Sequence, residues 1–213
     1  MDQLTAIVER AREELTAKNS VREATLQRSR ELIRYCAHAI RATHRGEYDQ
    51  ASELLATARA AAAAMTADLE AHPDLYHTGY TLDALKELAE AHLTFAWITG
   101  QPLPEPEELN VPYVAYLNGM GEAIAELRRH VLDLIRRGEV EEGEPFLQLM
   151  DEAYSLLMTV DFPEAITGGL RRTSDMVRGV VERTRGDLTV AVRQEQLQEA
   201  LQAFEEQVVR REA

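Results

Sequence analysis

Apolar residues recur every three or four positions along this chain, and no segment alternates with period two. Three-to-four spacing is the signature of amphipathic helices, and the missing alternation predicts no sheet. Residues 3–18 read as one helix, with Leu4, Ile7, Val8, Ala11 and Leu15 on a shared side. Asn19 and Ser20 read as a break. Ser20-Val21-Arg22-Glu23 has the form of a capping box opening a second helix that runs to about His44, with a stripe of Leu26, Ile33, Ala37 and Ile40. A third helix is expected from about Asp49 to Glu70, closed by the breaker His72-Pro73-Asp74. A fourth covers roughly Tyr80 to Thr99, and the Pro-rich run from Gly100 to Pro106 reads as a loop. A long fifth helix follows from about Val111 to Arg137, ended by Gly138. A sixth starts near Pro145, a residue suited to the first helical turn, and runs to about Thr159. A seventh spans roughly Pro163 to Arg183, and Gly186-Asp187 separates it from a last helix near Val190 to Arg210. The pattern predicts an all-α, antiparallel bundle of seven to eight helices forming a single domain over residues 1–213.

Composition narrows the class. The chain has 213 residues, 45% hydrophobic and 28% charged, which allows a sizeable core. Its formal charge of −14 opposes general nucleic-acid binding, but net charge does not describe a single face. Nearly all positive charge is arginine; the only lysines are Lys18 and Lys86. Arginine grips phosphate through two hydrogen bonds at once, although a codon bias is the favoured explanation of the preference. The lone Cys36 excludes an intrachain disulfide and lies among Ile33, Ala37 and Ile40, so it reads as a buried thiol. No apolar run is long enough to span a membrane, and the start MDQLTAIVERAREE lacks a signal-peptide core. A cytoplasmic location is expected.

One feature points to chemistry. Glu87 and Glu90 stand three residues apart in a helix otherwise rich in Leu82, Leu85, Leu88, Leu93, Phe95 and Trp97. That spacing places both carboxylates on one face. Buried acids in such surroundings need a partner, and a hard cation such as Mg²⁺ or Mn²⁺ suits carboxylate oxygen. Glu126, with Glu122 one turn earlier, and Glu152 beside Asp151 could complete a cage if their helices pack alongside. Such a cage would activate a water and stabilise a phosphorane-like transition state. Set against this, 37 acidic residues make an i,i+3 glutamate pair common by chance, and Glu87 could pair with an arginine instead. A ferritin-like di-iron site would need Glu-x-x-His pairs, and the chain contains none.

Arginines supply the candidate phosphate contacts. Arg34, Arg41 and Arg45 lie near one face of the second helix, and Arg171 and Arg172 mark the C-terminal region. Tyr76-His77 and Tyr80 precede the glutamate pair, and aromatic rings stack on unpaired bases. For any single arginine, a solvated face paired with glutamates is the competing explanation.

Four blocks in order resemble the translin family: RELIRYCAHAIRATHRGEYDQA at Arg30 to Ala51, LKELAEA at Leu85 to Ala91, AYLNGMGEAIAELRR at Ala115 to Arg129, and VDFPEAITGGLRRTSDMVRGVVERTRGDL at Val160 to Leu188. The resemblance implies an all-α subunit of a closed, ring-like or hollow oligomer, here a homo-oligomer of six or eight copies. It implies binding of single-stranded RNA or DNA and, in the branch of translin-associated factor X, Mg²⁺-dependent endoribonuclease activity. Glu87 and Glu90 match that branch's E-x-x-E pair, and Glu126 matches the glutamate of its G-E-L segment, with Ala125 in place of the glycine. Counting from Phe146-Leu147 puts Glu152 at the branch's aspartate position, while a one-residue slip selects Asp151. Glu87, Glu90 and Glu152 are thus the implied catalytic residues, and Glu87, Glu90, Glu126 with Asp151 or Glu152 the implied Mg²⁺ or Mn²⁺ ligands. His77 weakly matches a His-rich nucleic-acid segment of translin. The expected function is a metal-dependent endoribonuclease on short single-stranded RNA. A non-catalytic single-strand binder resembling translin is the alternative, and a helical scaffold that binds no nucleic acid is a third reading.

Overall fold

A computed structural model describes residues Asp2–Glu212, with the surroundings of side chains 2–210. Among the described residues there are nine α-helices and no strand. They are α1 (Asp2–His44), α2 (Tyr48–Ala67), α3 (Pro73–Tyr76), α4 (Gly79–Thr99), α5 (Pro106–Leu109), α6 (Tyr113–Arg137), α7 (Gly143–Leu157), α8 (Glu164–Thr167) and α9 (Leu170–Glu212). The all-α expectation holds. The chain divides into two compact units, residues 1–120 and 121–213.

In the first unit α1, α2 and α4 pack on one another. The buried positions of α1 are Thr25, Ser29, Leu32, Cys36, Ala39, Ile40, Ala42 and Thr43. Their three-to-four spacing is the expected one. The stripe is rotated, however: Leu26, Ile33 and Ala37 are only half-buried. Leu55 and Met65 from α2 and Leu85, Leu88 and Leu93 from α4 complete this core. Each such fully buried leucine contributes about 1.5–3 kcal/mol relative to exposure. Gly100 closes α4 in the left-handed region, φ 69°, which a glycine adopts without steric cost.

The loop expected after Gly100 contains the single turn α5, held by a capping box in which the Glu105 amide donates to the Glu108 carboxylate at 3.0 Å. The breaker at Pro73 likewise opens a single turn, α3.

In the second unit α7 and α8 pack on α9. Arg128 of α6 reaches α9, donating to the Thr184 hydroxyl at 3.2 Å and pairing with Asp187 at 2.7 Å. Leu147, Met150, Leu170, Val177 and Leu188 are buried.

Two expected breaks are absent. Asn19-Ser20 lies inside continuous α1, where the Ser20 hydroxyl donates to the Thr16 carbonyl at 3.1 Å rather than capping a new helix. Gly186-Asp187 lies inside continuous α9, because a glycine in a helix costs only about 1 kcal/mol. The expected seventh helix is instead the turn α8, ended by Gly168, followed by the start of α9.

Candidate metal centre

The site is built on α4. Helical spacing puts Glu87 and Glu90 on one face, flanked by Leu85, Leu88, Ala89, Ala91 and Leu93, all buried. Glu90 is only 8% exposed, and Glu87 is half-buried. Cys36 of α1 is buried within reach of their charges. Burial raises its thiol well above the ordinary range, and the negative charges of Glu87 and then Glu90 raise it further.

α6 is brought against this face at Gly119. A Cβ there would lie 2.6 Å from the Lys86 carbonyl oxygen and 3.0 Å from the Glu90 nitrogen, so only glycine permits this approach. Three residues further along the same helix stands Glu122. Carboxylate oxygens of Glu87, Glu90 and Glu122 lie within 4.8 Å of one another. Close-set carboxylates of this kind could hold a metal ion, and an oxygen-only ligand set suits a hard cation.

The other expected ligands have different surroundings. Glu126 lies one turn beyond Glu122 and 3.9 Å from Arg129. Asp151 accepts a hydrogen bond from Arg185 at 2.9 Å, and Glu152 is exposed on α7. None of the three belongs to the convergent group. Sequence reasoning named Glu122 only as the neighbour of Glu126. What singles it out is its place three residues beyond Gly119, a close approach that the sequence alone does not mark.

The candidate phosphate-binding residues are all exposed. Arg34 pairs with Glu31 at 3.3 Å and stands 5.7 Å from the Tyr35 ring centre. Arg41 is exposed on α1. Arg45 grips the Glu47 carboxylate through two nitrogens, at 2.9 and 2.6 Å. His77 meets Tyr76 edge to face at 5.1 Å, and both line a surface cleft with Thr66, Pro73 and Asn110. Arg171 and Arg172 occupy the exposed first turn of α9.

This all-α architecture is that of the C3PO proteins. The chain superposes on the crystal structure of AfC3PO with a TM-score of 0.79 and 31% identity, covering 86% of this chain and 96% of that one. It superposes on AfC3PO in its complex with duplex RNA with a TM-score of 0.74 and 30% identity, covering 86% and 95%. Apo-NeC3PO, at 21% identity and a TM-score of 0.78, shares the fold. The chain belongs to the translin family. It is also 30% identical over 193 residues to the uncharacterised protein MJ0175 of Methanocaldococcus jannaschii, covering 88% of this chain and 83% of that protein. No family model matches. Among the described residues no helix is long and apolar enough to cross a membrane.

Proposed function

We propose that this chain is a divalent-metal-dependent endoribonuclease. It works in the cytoplasm as a closed homo-oligomer of six or eight copies and cuts short single-stranded RNA. The observation that carries this reading is the convergence of Glu87, Glu90 and Glu122 within 4.8 Å on a largely apolar helix face. The RNA complex of AfC3PO supports RNA as the ligand class.

The three carboxylates would hold Mg²⁺ or Mn²⁺, which supplies neutralisation of phosphate charge and a lowered pKa for attacking water. Glu90, buried, fixes the position of the group. Glu87 and Glu122 are half-buried, so each keeps some exposure to solvent. The exposed Arg34, Arg41 and Arg45 of α1, with His77, Arg171 and Arg172, position the RNA backbone electrostatically, so affinity falls as salt rises.

The test is cleavage of labelled single-stranded and duplex RNA with Mg²⁺ or Mn²⁺ against EDTA, comparing wild type with Glu87→Ala. Metal-dependent cutting that the variant loses is the expected result. Cutting that survives Glu87→Ala removes the carboxylates from the chemistry. Binding without cutting in both proteins selects the second reading, a non-catalytic binder of RNA or single-stranded DNA. The duplex-RNA complex of AfC3PO favours that reading to the extent that binding alone is what it records.

A further inference from the structure

Both long helices end in arms without a buried residue, although Lys18 on the first pairs with Asp74 at 2.6 Å. From Asp2 to Ser20, α1 has no buried residue, and from Arg193 to Arg210, α9 has none. Helical segments of this length without packing are marginal in water, so each arm gains stability only from a partner face. Each arm carries an apolar seam. On α1 it is Leu4, Val8, Ala11 and Leu15; on α9 it is Leu197, Leu201, Phe204 and Val208. Leu4, Leu15, Leu197 and Phe204 are each at least 60% exposed.

The two seams share one spacing, four-three-four, which is the d-a-d-a register of a coiled coil. Laid antiparallel, a positions of one arm face d positions of the other. Leu4 then meets Val208, Val8 meets Phe204, Ala11 meets Leu201 and Leu15 meets Leu197. Small residues of the α1 arm thereby face large residues of the α9 arm. Like-with-like pairing gives the opposite result. Two α9 arms crowd Phe204 against Leu201, and two α1 arms leave Val8 against Ala11 with a void, and both errors cost stability. The flanks agree with the mixed pairing: Thr5 meets Glu205, Arg12 meets Gln198 and Glu14 meets Ala200, so no like charges oppose.

We propose that the first two heptads of α1 form a short antiparallel coiled coil with the last two heptads of α9 from a second copy of this chain. Each copy offers one arm of each kind, so the contact closes either reciprocally in a two-fold pair or head to tail around a ring. The surface and its occupant are independent of the carboxylate site, so the readout does not depend on RNA cleavage.

Two differently tagged full-length chains, one carrying Val8→Cys and the other Phe204→Cys, would be co-expressed and oxidised. The native Cys36 is buried and common to both. A reducible covalent dimer containing both tags is expected from the mixture, with no covalent dimer when either variant is expressed alone. Absence of that mixed dimer overturns the proposal, as does an equal yield from like-with-like samples. A chain carrying both cysteines that closes within itself to a faster-migrating monomer overturns it too. In parallel, Leu201→Glu/Phe204→Glu should keep its helical circular dichroism yet lower the mass read by light scattering. An unchanged mass counts against the arm contact.

Discussion

A Cβ on Gly119 would lie 2.6 Å from the Lys86 carbonyl oxygen, so α6 touches α4 backbone to backbone at the turn that bears Glu87 and Glu90. Because the obstructing atom is backbone, it cannot swing aside. In an ordinary helix interior, exchanging glycine for alanine gains about 1 kcal/mol. Here the sign should invert. Gly119→Ala is expected to destabilise the protein by about 1–3 kcal/mol, the usual cost of overpacking. Urea unfolding midpoints check this; a midpoint that rises would show that α6 does not rest on α4 this way.

Glu122→Gln is expected to abolish metal-dependent cleavage to the same degree as Glu87→Ala. Glu126→Gln and Glu152→Gln should leave most of it, because neither belongs to the convergent group. Titration of Mn²⁺ binding on the four variants provides a readout separate from turnover. Loss of binding in Glu152→Gln with full binding in Glu122→Gln would reverse the assignment.

Burial, and behind it the charges of Glu87 and Glu90, keeps the Cys36 thiol protonated in the folded protein. The unfolded thiol ionises near pH 8.5. A raised folded pKa gives stability that is complete below the unfolded value and declines as pH rises above it. Cys36→Ser should therefore lose part of the stability decline seen from pH 8 to 10. Iodoacetamide should label wild type at pH 8 only after urea unfolding; rapid labelling of the native protein would contradict the buried thiol.

His92 behaves in the opposite sense. Burial, reinforced by the charge of Arg59, pushes its imidazole down to about 4, against the opposing hydrogen bond of the Leu55 carbonyl. The unfolded side chain binds its proton near pH 6.5. Stability is thus complete above pH 6.5 and is lost as pH falls from there towards 4. The loss should reach a few kcal/mol at the acid end. His92→Gln should flatten this slope between pH 6.5 and 4.5 in urea titrations, while carboxylate protonation acts on both proteins alike. Parallel slopes would refute the depressed pKa.

The helices were legible because their signal is local. Apolar spacing marked α2, α4, α6 and α7 to within a few residues. It also marked Glu87 and Glu90 as neighbours, since a three-residue spacing fixes a shared face whatever the helix packs against. Punctuation residues misled. Ser20 and Gly186 each carry a helix-breaking tendency of about 1 kcal/mol or less, and flanking residues in continuous helix outweigh it. The stripe on α1 was misplaced by about one position because Thr25 and Ser29, polar by type, are buried after returning their hydroxyls to Val21 and Leu26 carbonyls at 2.8 and 2.9 Å.

The third carboxylate was legible only as the neighbour of Glu126. Glu122 and Glu126 lie four residues apart and share a face of α6, so sequence spacing treats them alike. What separates them is the axial offset of α6 against α4, and that offset is set where Gly119 meets the Lys86–Glu90 turn. The sequence by itself determined the helices, the paired glutamates and the family resemblance, because each follows from residues near in the chain. Only the tertiary structure decided which acid joins the pair, because the height at which one helix stops along another is fixed by a contact between residues some thirty positions apart.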